Sequence, residues 1–133
     1  MGKYKIKYNY EDGDSVETYN REEILELEWD KLDIAKQNLK RIQEHYEWYY
    51  KIEGHSFGNI KGRENAMNNP PAWWDVGAEK RTPVKNYDHY RVNLITDDGK
   101  SWIMSCPWCG YFERLNSAEI IEDDSDMRFT INY

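Results

Sequence analysis

The strongest constraint on the fold lies in residues 89–115, HYRVNLITDDGKSWIMSCPWCGYFERL. Tyr90, Val92 and Leu94 alternate with Arg91, Asn93 and Ile95, and Trp102 and Met104 continue one face of a returning strand. Between them Asp97-Asp98-Gly99-Lys100 supplies an Asp-Gly turn, so the stretch predicts an antiparallel hairpin. Ile95 makes its first strand apolar on parts of both faces.

The N-terminal end carries the second strand signal. Tyr4, Ile6, Tyr8 and Tyr10 share one face and Lys3, Lys5, Lys7 and Asn9 the other, as in a strand with one buried side. An Asp12-Gly13 turn follows, with residues 15–19 expected to return as its partner. Leu25, Leu27 and Trp29 alternate as well, which extends the strand expectation to Trp29. From Asp30, read as a cap, Leu32, Ala35, Leu39, Ile42, Tyr46 and Tyr49 recur at steps of three and four, predicting a helix over 30–53. At roughly 34 Å such a helix outruns one small sheet, which leaves two readings: a helix laid across its own sheet, or one with part of its stripe packed against a second copy of the chain. His45, Trp48 and Tyr50 fall off that stripe and read as exposed aromatic surface.

Residues 55–86 lose the pattern to glycines and prolines, with one helical turn expected near residues 63–67. Within them Asn69-Pro70-Pro71-Ala72-Trp73-Trp74 can present two adjacent indoles on a pre-ordered chain, an arrangement suited to stacking a base or anchoring an interface, or else to capping the core. After the hairpin, residues 111–115 are expected to extend the meander, 116–124 to form a short strand or helical turn, and Met127, Phe129 and Ile131 to alternate in a last strand. The fold class is α+β: N-terminal strands, one long amphipathic helix, a long aromatic loop and a C-terminal antiparallel sheet. A length of 133 residues fits a single domain, divided as 1–54, 55–86 and 87–133.

Composition narrows the function. Hydrophobic residues make up 39% and aromatic ones 15%, so burial relies on Tyr and Trp. A formal charge of −7 opposes direct binding to a nucleic-acid backbone and suits basic partners. No apolar run reaches the ~18–20 residues of a membrane span, and MGKYKIKYNY lacks the apolar block of a signal peptide, so a cytoplasmic chain with no membrane contact is expected. No Gly-rich phosphate loop, HExxH string or recognisable nucleophile triad is present, which argues for a binding protein over an enzyme.

Cys106-Pro107-Trp108-Cys109-Gly110 allows three readings. Cys106 and Cys109 could share a zinc ion, although zinc wants four ligands and only His45, His55 and His89 could complete the set. The string also resembles the active-site pattern of glutaredoxins, which are redox enzymes of the thioredoxin fold, but little chain follows Cys109 to build that sheet. The third reading is a tight structural turn, with no cofactor. The acidic runs, Glu22-Glu23-Ile24-Leu25-Glu26 and Glu122-Asp123-Asp124, are solvated faces or, on a second reading, a carboxylate ladder that imitates phosphates.

Short, acidic and rich in Lys, Asn, Ile and Tyr, the chain resembles small bacteriophage proteins directed against host immunity. Its order of elements, strands, the helix over 30–53, the Trp73-Trp74 loop and a C-terminal sheet, is similar to that of the Thoeris anti-defence sponges, which capture cyclic ADP-ribose-type signals. Its acidity is similar to that of anti-CRISPR inhibitors, some of which mimic nucleic acid. The first resemblance implies an oligomeric protein sequestering a nucleotide-type ligand; it carries no binding residue across, and it is this chain's own residues that suggest Trp73 or Trp74 stacking on the base with Arg91 and Asn93 contacting sugar and phosphate. The second implies an inhibitor of a host defence protein that docks through Glu122, Asp123 and Asp124 or the segment 22–30.

Overall fold

The computed structural model describes residues 3–13, 16–53, 60–74, 83–84, 88–106 and 114–122. The fold is α+β, with a three-stranded and a two-stranded antiparallel sheet and one long helix. Strand β1 (Tyr4–Gly13) pairs with β2 (Thr18–Ile24) on one side and with β5 (Arg114–Glu122) on the other, giving the order β2-β1-β5. As the alternation of residues 3–10 predicts, Ile6, Tyr8 and Tyr10 are buried. The partner strand starts later than expected because β1 runs on to Gly13, which opposes Thr18.

Beyond Ile24 the chain leaves the ladder. Leu25 N donates to Ile6 O at 2.8 Å, but the next contact is a reciprocal pair between Tyr4 and Trp29 at 2.8 and 2.9 Å. Continuing the register would set Leu27, not Trp29, against Tyr4, so the segment holds two extra residues. An even slip preserves which side each residue faces, and Leu25 and Trp29 both reach the core. The alternation there marks burial rather than a continuous strand.

Helix α1 (Leu32–Glu53) is present, but its buried stripe is Ala35, Asn38, Ile42, His45, Tyr49 and Ile52, and Leu32 is exposed. His45 and Trp48 are core residues, and Tyr50 alone of the three expected surface aromatics is exposed. The cap differs too: Asp97, from the distant hairpin turn, accepts from the N–H of Asp30 at 2.8 Å and of Lys31 at 3.2 Å. A second helix, α2 (Ile60–Asn68), replaces the single turn expected there. Trp48 Nε1 donates to Ala66 O at 2.6 Å, and Trp48, Ile52, Ala66, Trp74 and Val84 form a satellite core over the C-terminal half of α1. That half of the helix is covered within the chain.

Strands β3 (Arg91–Ile95) and β4 (Ser101–Ser105) form the predicted hairpin. Thr96 N donates to Lys100 O and Gly99 N to Thr96 O, both at 2.9 Å, and Gly99 takes φ 82°, which only glycine adopts freely. Among the described C-terminal residues, β3 and β4 lie in one sheet and β5 (Arg114–Glu122) in the other. β5 crosses to β1 instead of extending the hairpin, with a bulge opposite Asn9 and Tyr10. The expected strand at residues 127–131 lies outside the described residues. Both sheets and α1 still share one core, built on Ile6, Trp29, Ile42, Val92 and Leu94.

Candidate functional site

The four residues expected to bind a ligand come together at one edge of β3, for a reason the sequence hides. Thr96 N bonds across to Lys100 O at one end of the hairpin, and Cys106 N to Tyr90 O at the other, both at 2.9 Å. Hydrogen-bonded pairs alternate along an antiparallel ladder, so Val92 and Leu94 bond to β4, while Arg91, Asn93 and Ile95 turn their main chain outward. Each outward carbonyl meets a side-chain donor. Trp74 Nε1 donates to Arg91 O at 2.9 Å, Arg41 to Asn93 O at 3.0 Å, and Trp29 Nε1 to Ile95 O at 2.8 Å. Asn38 acts as a substitute strand: its Nδ2 donates to Ile95 O at 3.0 Å, and its Oδ1 accepts from Ile95 N at 2.8 Å.

This edge is sealed. Trp74 is 1% exposed and Asn93 7%, so neither presents a surface to a ligand in this conformation. Arg91 is exposed, and Trp73 is half-buried, with its Nε1 on Glu44 at 2.8 Å and the Arg41 guanidinium 5.4 Å from its ring centre. Burial holds Arg41 below its usual pKa, against the opposing pull of Glu44.

The opposite edge of the hairpin is bare. By the same alternation Ser101, Ile103 and Ser105 in β4 turn their main chain away from β3, and among the described residues no side chain bonds to it. β4 also carries no charged residue. An open groove of 490 Å³ runs between this strand and the end of β2, lined by Trp102, Met104, Tyr8, Leu25, Glu23 and Glu26. Its apolar wall is Trp102, Met104 and Leu25, and its charge is entirely negative. Tyr8 OH donates to Glu23 at 2.7 Å and Tyr10 OH at 3.3 Å, which fixes that carboxylate at the floor. Burial first, then the hydrogen bond to Glu23, push the Tyr8 pKa far up, so the phenol keeps its proton. The residues of this groove were not expected from sequence. The one sign of them is the uncharged string Ser101-Trp102-Ile103-Met104-Ser105 in a chain where 32% of residues are charged.

The acidic segments divide. Glu22 sits 3.8 Å from Lys7 and Glu28 3.5 Å from Lys5, so part of the run at 22–30 is occupied within the protein. Glu122 is exposed at the end of β5, opposite Tyr4, while Asp123 and Asp124 lie outside the described residues.

His45, a possible zinc ligand by sequence, is fully buried, and Nε2 lies 2.8 Å from His89 O. Burial lowers its pKa to about 4, outweighing the hydrogen bond to the His89 carbonyl, so the ring is neutral and Nε2 carries the proton. Cys106 is held in a disulfide, its Sγ 2.9 Å from Tyr90 O, and Cys109 lies outside the described residues. Among the described residues no three His, Cys, Asp or Glu side chains converge as a metal site. No helix among the described residues is long and apolar enough to cross a membrane. Comparison with known proteins returns no matching family model, curated protein or solved structure.

Proposed function

We propose that this chain is a non-enzymatic binding protein that engages a basic partner protein through the groove between β2 and β4. The observation that carries this reading is the lining: two carboxylates, Glu23 and Glu26, beside Trp102, Met104 and Leu25, with no cation among the described residues that line it. Such a lining suits a lysine or arginine side chain whose stem lies on apolar surface while its head meets a carboxylate. It repels phosphate. In the counter-defence setting that the composition resembles, the partner would be a basic segment of a nucleic-acid-binding effector.

The test is titration of a lysine-rich peptide into the protein, followed by Trp fluorescence at low and high salt. Binding should weaken steeply with salt and fall by about ten-fold in Glu23→Gln/Glu26→Gln, a change that keeps an acceptor for the Tyr8 hydroxyl. Salt-insensitive binding, or equal affinity in the double variant, refutes it.

Capture of a nucleotide-type signal is the second reading, favoured by the half-buried Trp73 ring with the Arg41 guanidinium 5.4 Å from its centre, and by the exposed Arg91. A base would stack on Trp73 by displacing the guanidinium. Cyclic dinucleotides or ADP-ribose-type ligands should then raise the melting temperature, and less so in Trp73→Ala; a panel that leaves it unchanged removes this reading.

A further inference from the structure

We propose that the partner binds as an added β-strand along the free edge of β4, as an extended segment alternating basic and apolar residues. The inference rests on the groove reading above and specifies how that groove is filled.

Three observations converge. The two edges of the same hairpin are treated oppositely. On β3, the carbonyls of Arg91, Asn93 and Ile95 are each met by a side chain, and Asn38 mimics a neighbouring strand. On β4, the outward main chain of Ser101, Ile103 and Ser105 has no such cover among the described residues. An uncovered edge is a template for strand pairing, and proteins ordinarily blunt it with charge, proline or a bulge. The outer strands of the larger sheet follow that rule: β2 carries Arg21, Glu22 and Glu23, and β5 has a bulge and the charged residues Arg114, Glu119 and Glu122. β4 has none of these devices, and Ile103 on it is 42% exposed.

The groove lies along that same strand. Ser105, Met104 and Trp102 form one wall and Ile24, Glu23 and Glu26 the other, so an incoming strand would meet β4 main chain on one side and carboxylates on the other. Strand addition draws affinity from main-chain bonds and specificity from pockets for alternate side chains. Here the alternate positions call for an apolar residue at Trp102 and Met104 and a cation at Glu23 and Glu26. A second copy of this chain offering its β2 edge does not answer that call, because Glu22 and Glu23 would lie against the same carboxylates, and one offering its β4 edge brings no cation to them.

The experiment uses a short capped peptide alternating lysine and valine, with two derivatives bearing N-methyl groups on one or the other alternate set of amides. Methylation removes main-chain donors without changing charge or side chains. Strand addition predicts that at least one derivative loses about ten-fold or more in affinity. It also predicts a similar loss in Ile103→Pro, since that amide points away from β3 and its removal costs the hairpin no ladder bond. The melting temperature and circular dichroism of the variant establish whether it folds, and the methylated peptides, measured on the unaltered protein, decide the matter if it does not. If both derivatives bind as tightly as the parent, strand addition is overturned while the groove reading stands. If the parent peptide does not bind at all, both fall.

Discussion

Acidification from about pH 7 to about pH 5 should destabilise this protein through His45, by an amount the structure allows to be worked out. The ring is fully buried, stacked 6.5 Å from Tyr49 and edge-on to Trp48 at 5.9 Å, with His89 close by as a second imidazole. Its ordinary pKa of 6.5 falls to about 4 in the fold, chiefly through burial. The unfolded chain therefore takes up a proton in a window where the folded one refuses it. Stability is fully present above about 6.5 and is lost as the pH falls towards 4. A separation of that size corresponds to about 3 kcal/mol at its limit. At about pH 5 the linkage amounts to roughly 2 kcal/mol. Urea unfolding at both pH values gives the total change, to which carboxylates and the other histidines also contribute. The His45→Gln variant isolates the term, since an amide can still donate to His89 O but does not titrate. The wild-type protein should lose roughly 2 kcal/mol more than the variant over that interval. Parallel losses in the two proteins, or an imidazole resonance of His45 titrating near 6.5, would refute the reasoning.

Three further substitutions test the sealed edge and the turn. Asn38→Leu leaves the Ile95 N–H without its acceptor, while Ile95 O keeps the Trp29 donor, and should cost about 1–3 kcal/mol in urea unfolding, the range for one buried group left without a partner. In Trp74→Phe the aromatic packing against Trp48 is largely kept but the Arg91 carbonyl loses its donor, for about 1–3 kcal/mol; a neutral result would mean that water takes the place of the indole. Gly99→Ala should cost about 1 kcal/mol from backbone conformation alone, because an added Cβ there meets nothing within 4 Å, and Gly99→Asn should cost less.

What could be read from sequence was what local periodicity controls. The alternation of Tyr4, Ile6, Tyr8 and Tyr10 and the Asp97-Asp98-Gly99 turn are decided within a few residues, and both appear as expected. The helix was legible and so was most of its inner face, with Ala35, Ile42 and Tyr49 buried and Leu39 and Tyr46 packed on the core, but Asn38 and His45 hold two further buried positions. A hydropathy pattern places such residues outside, and only the β3 main chain and His89 O explain them. The partner of β5 was illegible for another reason. Its apolar residues, Leu115, Ala118, Ile120 and Ile121, change spacing at a bulge, so neither period dominates, and pairing with β1 is settled across more than a hundred positions of chain. α2 has a weak apolar pattern and is held by tertiary bonds, Trp48 to Ala66 O and Val84 N to Met67 O at 3.1 Å.

Trp74, Arg91 and Asn93 gather at the β3 edge for a physical reason. Covering an exposed strand edge and binding a polar ligand require the same equipment: indole and amide donors, a guanidinium, and a main chain free to accept. Trp74, Arg91 and Asn93 carry that equipment, and from sequence they suggest a ligand site. In the fold the acceptors are the protein's own carbonyls, and the capacity for recognition is consumed in closing β3. The converse holds across the hairpin. β4 offers no sequence motif, yet its outward main chain, uncovered among the described residues, is what the proposed partner strand would pair with. Since a β-strand recognises another chiefly through its backbone, a site of that kind leaves little trace in residue type. Its one trace is negative, the missing charges that would otherwise keep other strands away.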